Sequence, residues 1–156
     1  MAEKLNYVDV IKNAFVENDW KFTSRDLDDE TLFNVPMGSK YLPTLDVKFI
    51  LDAEGDCKIR CYIARAIPFA KRAAMLEVLN TLNSKYRYVT VSIDSDNDVL
   101  VAYDFTIFGD AEVADKQVGT MLYFVSSVID KCVPAVMKLL WQDDGEEEII
   151  APKRYN

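Results

Sequence analysis

The alternation of apolar and polar residues predicts a β-hairpin in the middle of the chain. In the segment TLDVKFIL, apolar residues take every second position, at Leu45, Val47, Phe49 and Leu51. This period of two indicates a strand with one buried face. DAEGD then supplies a turn that contains a glycine. In the following segment, CKIRCYIA, the same period of two predicts that the inward-facing residues are Cys57, Ile59, Cys61 and Ile63.

The same period predicts a second hairpin further along the chain. YRYVTVSID is expected to bury Val89, Val91 and Ile93. After the turn DSDND, the segment VLVAYDFTIF is expected to bury Val99, Val101, Tyr103 and Phe105. One or two short strands are also predicted earlier in the chain, over residues 20–24 and 31–35, around the acidic turn DLDDE.

Three other segments have the three- and four-residue spacing of amphipathic helices. The first closes before Asn18 and has its apolar residues at Tyr7, Val8, Ile11, Ala14, Phe15 and Val16. The second starts at Pro68, runs to about Ser84 and presents Phe69, Ala73, Leu76, Leu79 and Leu82. The third runs from about Ala111 to Trp141, and Pro134 is expected to kink or interrupt it near Asp130.

The element order is therefore helix, one or two strands, hairpin, helix, hairpin, helix, or α-β(β)-ββ-α-ββ-α. It predicts an α+β two-layer sandwich, in which an antiparallel sheet is covered by helices on one face. We expect a single domain over residues 1–144. Residues 145–156 contain three consecutive glutamates and are expected to form an acidic, loosely held tail.

Composition excludes several classes of protein. Half of the 156 residues are hydrophobic, so the chain is expected to fold, and a net charge of −8 with no long basic stripe argues against a nucleic-acid partner. We expect no signal peptide, no stretch approaching the roughly 20 apolar residues of a membrane span, no membrane partner and a cytoplasmic location. Cys57, Cys61 and Cys132 are interpreted as buried thiols, since no histidine or CxxC pair completes a zinc site.

No motif for catalysis emerges from the sequence. Asp94, Asp96 and Asp98 have the spacing that opens a calcium loop, but Val99 stands where that loop needs glycine and Phe105 where it needs glutamate. A solvated hairpin turn is the favoured interpretation. Without histidine the usual base for a serine or cysteine nucleophile is missing, and no glycine-rich phosphate loop is present. The sequence therefore predicts no catalytic residue, no metal, no cofactor and no enzymatic activity.

Two groups of aromatic residues are candidates for binding a protein. Tyr62, Tyr86 and Tyr88 are expected on the outer sheet face, together with Ile50, Leu100 and Ala102, and an ordinary solvated face is the competing interpretation. The third helix is apolar over more than a single stripe because it also carries Tyr123, Phe124 and Trp141. Dimerisation, docking of a partner and deeper burial within the domain are all consistent with that helix.

The stretch ARAIPFAKRAAMLEVLNTLNSKYRYVTVSIDSDNDVLVAYD resembles the YbjN-like family, described as putative bacterial sensory transduction regulators. The resemblance rests on a strand, a proline-led helix that ends with Asn80 and Asn83, and a hairpin with an acidic turn. The family is similar in fold to the small chaperones of type III secretion, which implies a domain that often pairs and binds protein segments. It implies no catalytic residues. We expect the two asparagines to bond nearby backbone at the helix end.

The leading hypothesis is therefore a noncatalytic protein-binding domain, a regulator or chaperone-like adaptor of bacterial type, with a protein partner of unknown identity. The alternative is a small-molecule-binding or enzymatic domain with a pocket between sheet and helices near the three tyrosines. A deep, polar-lined cavity would favour that alternative. A third hypothesis is homotypic assembly alone, as a homodimer formed through the final helix or the sheet face.

Overall fold

A computed structural model describes residues 5–142, and the tail predicted for residues 145–156 lies outside the described residues. The described residues form three helices and six strands. In chain order they are α1 (Tyr7–Glu17), β1 (Thr23–Asp26), β2 (Glu30–Met37), β3 (Leu45–Asp52), β4 (Asp56–Ala64), α2 (Arg72–Lys85), β5 (Thr90–Ile93), β6 (Val99–Thr106) and α3 (Ala111–Trp141). A 3₁₀ turn, Phe69–Lys71, leads into α2.

The six strands form one antiparallel sheet with the spatial order β1-β2-β3-β4-β6-β5. The first four strands pair with their sequence neighbours, and α2 then carries the chain to β5 at the far edge. β6 returns between β5 and β4. α3 packs against β4 and against both other helices. The predicted α+β fold and both predicted hairpins are confirmed.

The core lies between the helices and one face of the sheet. Every apolar position predicted to face inward on β3 and β4 is buried. Aromatic rings join α1 to the sheet, because Phe15 contacts Phe33 and Phe49 edge to face with ring centroids 5.6 and 5.9 Å apart. Such contacts are worth about 0.5–1.5 kcal/mol each beyond the burial of apolar surface.

Helix α3 runs through Pro134 without interruption, so of the two expected effects, a kink or an interruption near Asp130, the interruption is wrong. Pro134 is exposed, and its ring therefore does not displace core side chains. Residues on both sides of it, including Ile129, Val133 and Val136, are buried in the core. That packing outweighs the loss of one backbone hydrogen bond.

By length and composition alone, α3 could cross a bilayer, and it is the one helix among residues 5–142 that could. The expectation that no stretch approaches that length is therefore wrong. Ten residues of α3 are nevertheless buried inside the domain. A largely apolar helix with this burial is typical of the core of a water-soluble fold.

The apolar face predicted for α2 is only partly correct. Leu79 and Leu82 are buried as expected, together with Met75, but Leu76 is 49% exposed and Phe69 is 82% exposed. Phe69 belongs to the 3₁₀ turn, which has three residues per turn, so its direction does not follow the 3.6-residue period of the helix.

The start of the sheet also differs from the prediction, since β1 begins at Thr23 rather than near Trp20. Trp20 and Phe22 instead pack against Phe15, with ring centroids 6.4 and 5.2 Å away. Val16, expected in the first apolar stripe, is 67% exposed.

We predict that none of the three buried thiols reacts with a disulfide reagent such as DTNB while the domain is folded. Burial raises the pKa of Cys61 to about 12 and that of Cys132 to about 11, and burial with the nearby Asp52 and Asp56 raises the pKa of Cys57 still further. The thiolate is the reactive form, so each thiol is inert near neutral pH. All three should react at once in urea, and one fast native thiol would contradict the prediction.

Candidate binding groove

The six aromatic residues predicted to bind protein do not form one surface. Tyr62 lies on the open sheet face, with the guanidinium of Arg65 4.0 Å from its ring centroid. Tyr86 caps the end of α2 and is half-buried against the core. Tyr88 and Phe124 line one groove, and Tyr123 lies beside Phe124 in an adjoining hollow. Trp141 is at the other end of α3.

Tyr88 is not on the outer sheet face, contrary to the prediction. It precedes β5 and has a positive φ of 66°, which interrupts the alternation of side-chain directions. Its ring therefore faces Tyr103, with centroids 6.1 Å apart. Tyr103 points to the helix side of β6, the side on which Val99 and Val101 are buried.

The outer sheet face keeps Tyr62 with Ile50, Leu100 and Ala102, all half-buried. Two of its cations pair across strands: Lys58 Nζ lies 2.9 Å from Glu30 Oε1, and Arg60 bonds both oxygens of Asp104. The bond to Glu30 raises the pKa of Lys58. Since these charges find partners within the face, the interpretation as a solvated face is favoured.

The main aromatic groove lies between the end of β6 and the first half of α3, and we call it the β6–α3 groove. Its volume is about 610 Å³. The lining residues are Tyr88, Tyr103, Phe105, Thr106, Phe108, Gln117, Thr120, Met121 and Phe124. None of them carries a charge at neutral pH. Two of the rings remain largely in solvent, with Tyr88 72% and Phe108 67% exposed.

The floor of the β6–α3 groove is part of the core. Phe105 contacts the buried Phe49 edge to face at 5.9 Å and stacks on Tyr103 at 5.7 Å. The rings of Phe105 and Tyr103 are therefore held in place before any ligand arrives, which lowers the conformational cost of binding.

The wall of the groove is fixed by a single side chain of α3. Gln117 Nε2 donates to the carbonyl oxygen of Thr106 at 2.9 Å, and its Oε1 accepts from the backbone N–H of Phe108 at 3.3 Å. Gly109 then turns the chain into α3 with a φ of 85°, and a Cβ there would lie 2.9 Å from a methyl carbon of Val113. The loop carrying Phe108 is thus tied to the helix.

The groove can bind apolar and hydrogen-bonding groups, but it has no group suited to acid–base chemistry. Burial, followed by the neighbouring Tyr88, raises the pKa of Tyr103, so its hydroxyl stays protonated. Thr106, Thr120 and Gln117 supply the other polar atoms. The arrangement matches the apolar, aromatic-rich centre of a protein interface.

The aspartates considered for calcium build the β5–β6 turn. Asp94 Oδ1 accepts from the backbone N–H groups of Asp96 and Asp98 at 2.9 and 3.0 Å. Asp98 accepts from the backbone N–H of Ala66 at 2.7 Å and pairs with Arg65 at 2.9 Å. Over residues 5–142, no three acidic or cysteine side chains cluster in a way that could hold a metal ion.

Of the two asparagines in the family-like stretch, Asn83 bonds the backbone as expected. Its Nδ2 donates to the carbonyl oxygen of Val91 at 2.9 Å, and its Oδ1 accepts from the N–H of the same residue at 2.8 Å. Val91 lies on β5, the edge strand, so the side-chain amide takes the position of a further strand. Asn80 is exposed.

Comparison with known proteins agrees with the fold. The family model YbjN, described as "Putative bacterial sensory transduction regulator", matches residues 7–138. A similar solved structure is that of YbjN from E. coli, described as a putative transcription regulator, with a TM-score of 0.52 and 14% sequence identity over 80% of this chain and 89% of that one. At this identity the likeness concerns the fold alone. No match was found among curated proteins.

Proposed function

The chain belongs to the YbjN family, and from that premise we propose that it is a noncatalytic regulatory domain that acts by binding an apolar segment of another protein. The observation that carries the proposal is the β6–α3 groove, an uncharged aromatic surface with a rigid floor and open sides. The family is described as regulators rather than enzymes, which supports the same role.

The chemistry of the groove favours a protein segment over a small metabolite. Sites for small polar molecules enclose the ligand and converge several polar groups on it. Here the rim is open, with Tyr88 and Phe108 mostly in solvent. No carboxylate, amine or thiol lines the groove. A partner that inserts two or three apolar side chains would fit, and the chain's net charge of −8 disfavours a strongly acidic one.

We infer a cytoplasmic location from the same features. The fold is of the water-soluble type, and Cys57, Cys61 and Cys132 are unpaired thiols. Unpaired thiols are typical of reducing compartments.

A photo-cross-linking amino acid at Phe108 tests the proposal in the protein's own host. We expect it to capture a distinct protein that the same group at Phe69 does not. Phe69 is a matched control, because it is also a largely exposed phenylalanine but lies outside the groove. Thr120→Arg, which places a charged side chain at the exposed rim, should lower the yield of that product about tenfold or more.

The outcomes separate binding of a partner in the groove from self-association and from capture by any exposed ring. Equal capture from positions 108 and 69, or no capture from either, would contradict the proposal that the groove binds a partner. Capture of a second copy alone would replace partner binding by self-association. Because Thr120 is exposed, Thr120→Arg should leave the circular dichroism spectrum and urea midpoint unchanged.

A further inference from the structure

A second apolar groove lies at the C-terminal end of α3, about 25 Å along the helix from the first. Its volume is about 610 Å³, and its lining residues are Tyr41, Val133, Pro134, Met137, Lys138, Trp141 and Gln142. Trp141 is 77% exposed and Tyr41 48% exposed. Apolar surface of this kind on a water-soluble domain marks a place where another segment packs.

The wall of this groove opposite α3 is fixed in place. Asp130, on α3, accepts a hydrogen bond from Ser39 Oγ at 2.6 Å and one from the backbone N–H of Lys40 at 3.2 Å. Ser39 Oγ in turn accepts from the N–H groups of Tyr41 and Leu42 at 3.2 and 3.1 Å. The loop that carries Tyr41 is therefore tied to the helix, and the groove exists before anything binds in it.

Lysines surround this end of the helix. Lys138 lines the groove, and Lys40 Nζ lies 5.4 Å from the ring centroid of Tyr41. Lys71 Nζ donates to the carbonyl oxygens of Leu139 and Gln142 at 3.1 and 2.7 Å, among others. These cations offset the partial negative charge of the helix end and favour an acidic segment nearby.

The chain continues from the edge of this groove with the sequence DDGEEEIIAPKRYN, which lies outside the described residues. The stretch contains five carboxylates followed by two adjacent isoleucines. We propose that the C-terminal segment folds back so that Ile149 and Ile150 fill the groove beside Trp141, with the preceding carboxylates close to Lys138 and Lys40.

The segment has the reach that this arrangement needs. The groove extends from Val133 to Trp141, about 12 Å along the helix axis. The chain from Gln142 to Ile149 can span about 20 Å when extended, and Gly145 permits a reversal. Because the segment is tethered at the edge of the groove, its effective concentration there is about millimolar, which favours it over a second copy at micromolar concentration.

The test reads the exposure of Trp141 in the 156-residue chain with Trp20→Phe, which leaves Trp141 as the one tryptophan of that sequence. Burying two isoleucines contributes a factor of about 10² or more in favour of the docked form, against the entropy cost of ordering the segment. We expect the double substitution Ile149→Asp with Ile150→Asp to release the segment from the groove. The acrylamide quenching constant of Trp141 should then rise about threefold, and its fluorescence emission should shift to longer wavelength. The charge-matched control, Pro152→Asp with Asn156→Asp, keeps both isoleucines and should leave the quenching low.

Every outcome decides the question. Low quenching that survives dilution and is lost only in the isoleucine variant supports the proposal. High quenching in both the Trp20→Phe parent and the isoleucine variant overturns the proposal, since Trp141 is then uncovered even with both isoleucines present. Low quenching that disappears on dilution overturns the proposal in favour of a second copy as the occupant. Low quenching in both the isoleucine variant and the charge-matched control also overturns it, because something other than the two isoleucines then covers Trp141. None of these results concerns the β6–α3 groove, so this proposal and the proposed function are tested independently of each other.

Discussion

Replacing Phe49 by alanine should lower the free energy of unfolding by about 3–5 kcal/mol. The ring is fully buried and contacts three other rings, those of Phe15, Phe33 and Phe105. Removing it leaves a cavity whose walls belong to α1 and to three strands, and these cannot all move inward together. Urea unfolding followed by circular dichroism gives the change in free energy.

Phe69→Ala is the matched control, because Phe69 is 82% exposed and belongs to the turn before α2. Its effect should stay within about 0.5 kcal/mol. A loss below about 1.5 kcal/mol in Phe49→Ala would mean that the aromatic core closes over the gap, contrary to the packing described. Since Phe105 rests on Phe49, the same variant should also weaken binding in the β6–α3 groove.

Replacing Asn83 by alanine should lower the free energy of unfolding by about 1–3 kcal/mol. The substitution removes both partners of Val91, whose N–H and carbonyl group then face outward at the edge of the sheet. Open strand edges also invite pairing with another chain, so the variant should form dimers or larger species in light scattering coupled to size exclusion.

Asn80→Ala provides the comparison, since Asn80 lies one turn earlier on the same helix and is exposed. We expect it to change the free energy of unfolding by less than about 0.5 kcal/mol and to leave the association state unchanged. Equal effects of the two substitutions would show that the amide of Asn83 does not protect the edge strand.

The strands that the sequence predicted best are those with one face in the core. From Leu45 to Leu51 every second side chain is buried, and all of these side chains point to the same face of the sheet. A register shift would expose all of them, so the alternation alone defines this strand. Antiparallel pairing then follows from the short turns, and the α+β class follows from the order of the elements.

Tyr88 shows where local pattern fails. Counting alternate positions back from β5 put its ring on the outer face, but its φ of 66° reverses that direction. A positive φ is uncommon outside glycine, and nothing in the sequence YRYVT signals it. The favourable contact between Tyr88 and Tyr103 exists only once β6 is in place, so it could not be predicted from the residues around Tyr88.

The β6–α3 groove was only partly visible in the sequence for a related reason. Tyr88 and Phe124 were recognised as candidate contacts, whereas Tyr103 and Phe105 were expected to be buried. Both are half-buried and line the groove opposite α3. The run FTIF before Gly109, where apolar residues stop alternating, was the signal that Phe108 faces outward.

The strand order also determines how far apart in sequence the pairing strands are, and therefore how much chain entropy each pairing costs during folding. β1 to β4 form by closing short turns one after another, and the hairpin of β5 and β6 is equally local. Joining the two parts requires β6 to pair with β4 across the whole stretch from Arg65 to Asp98, which contains α2. Closing that long loop costs more chain entropy than any hairpin does. The pairing of β4 with β6 therefore has the greatest sequence separation in the sheet, and we expect it to be the slowest step in the assembly of the complete fold.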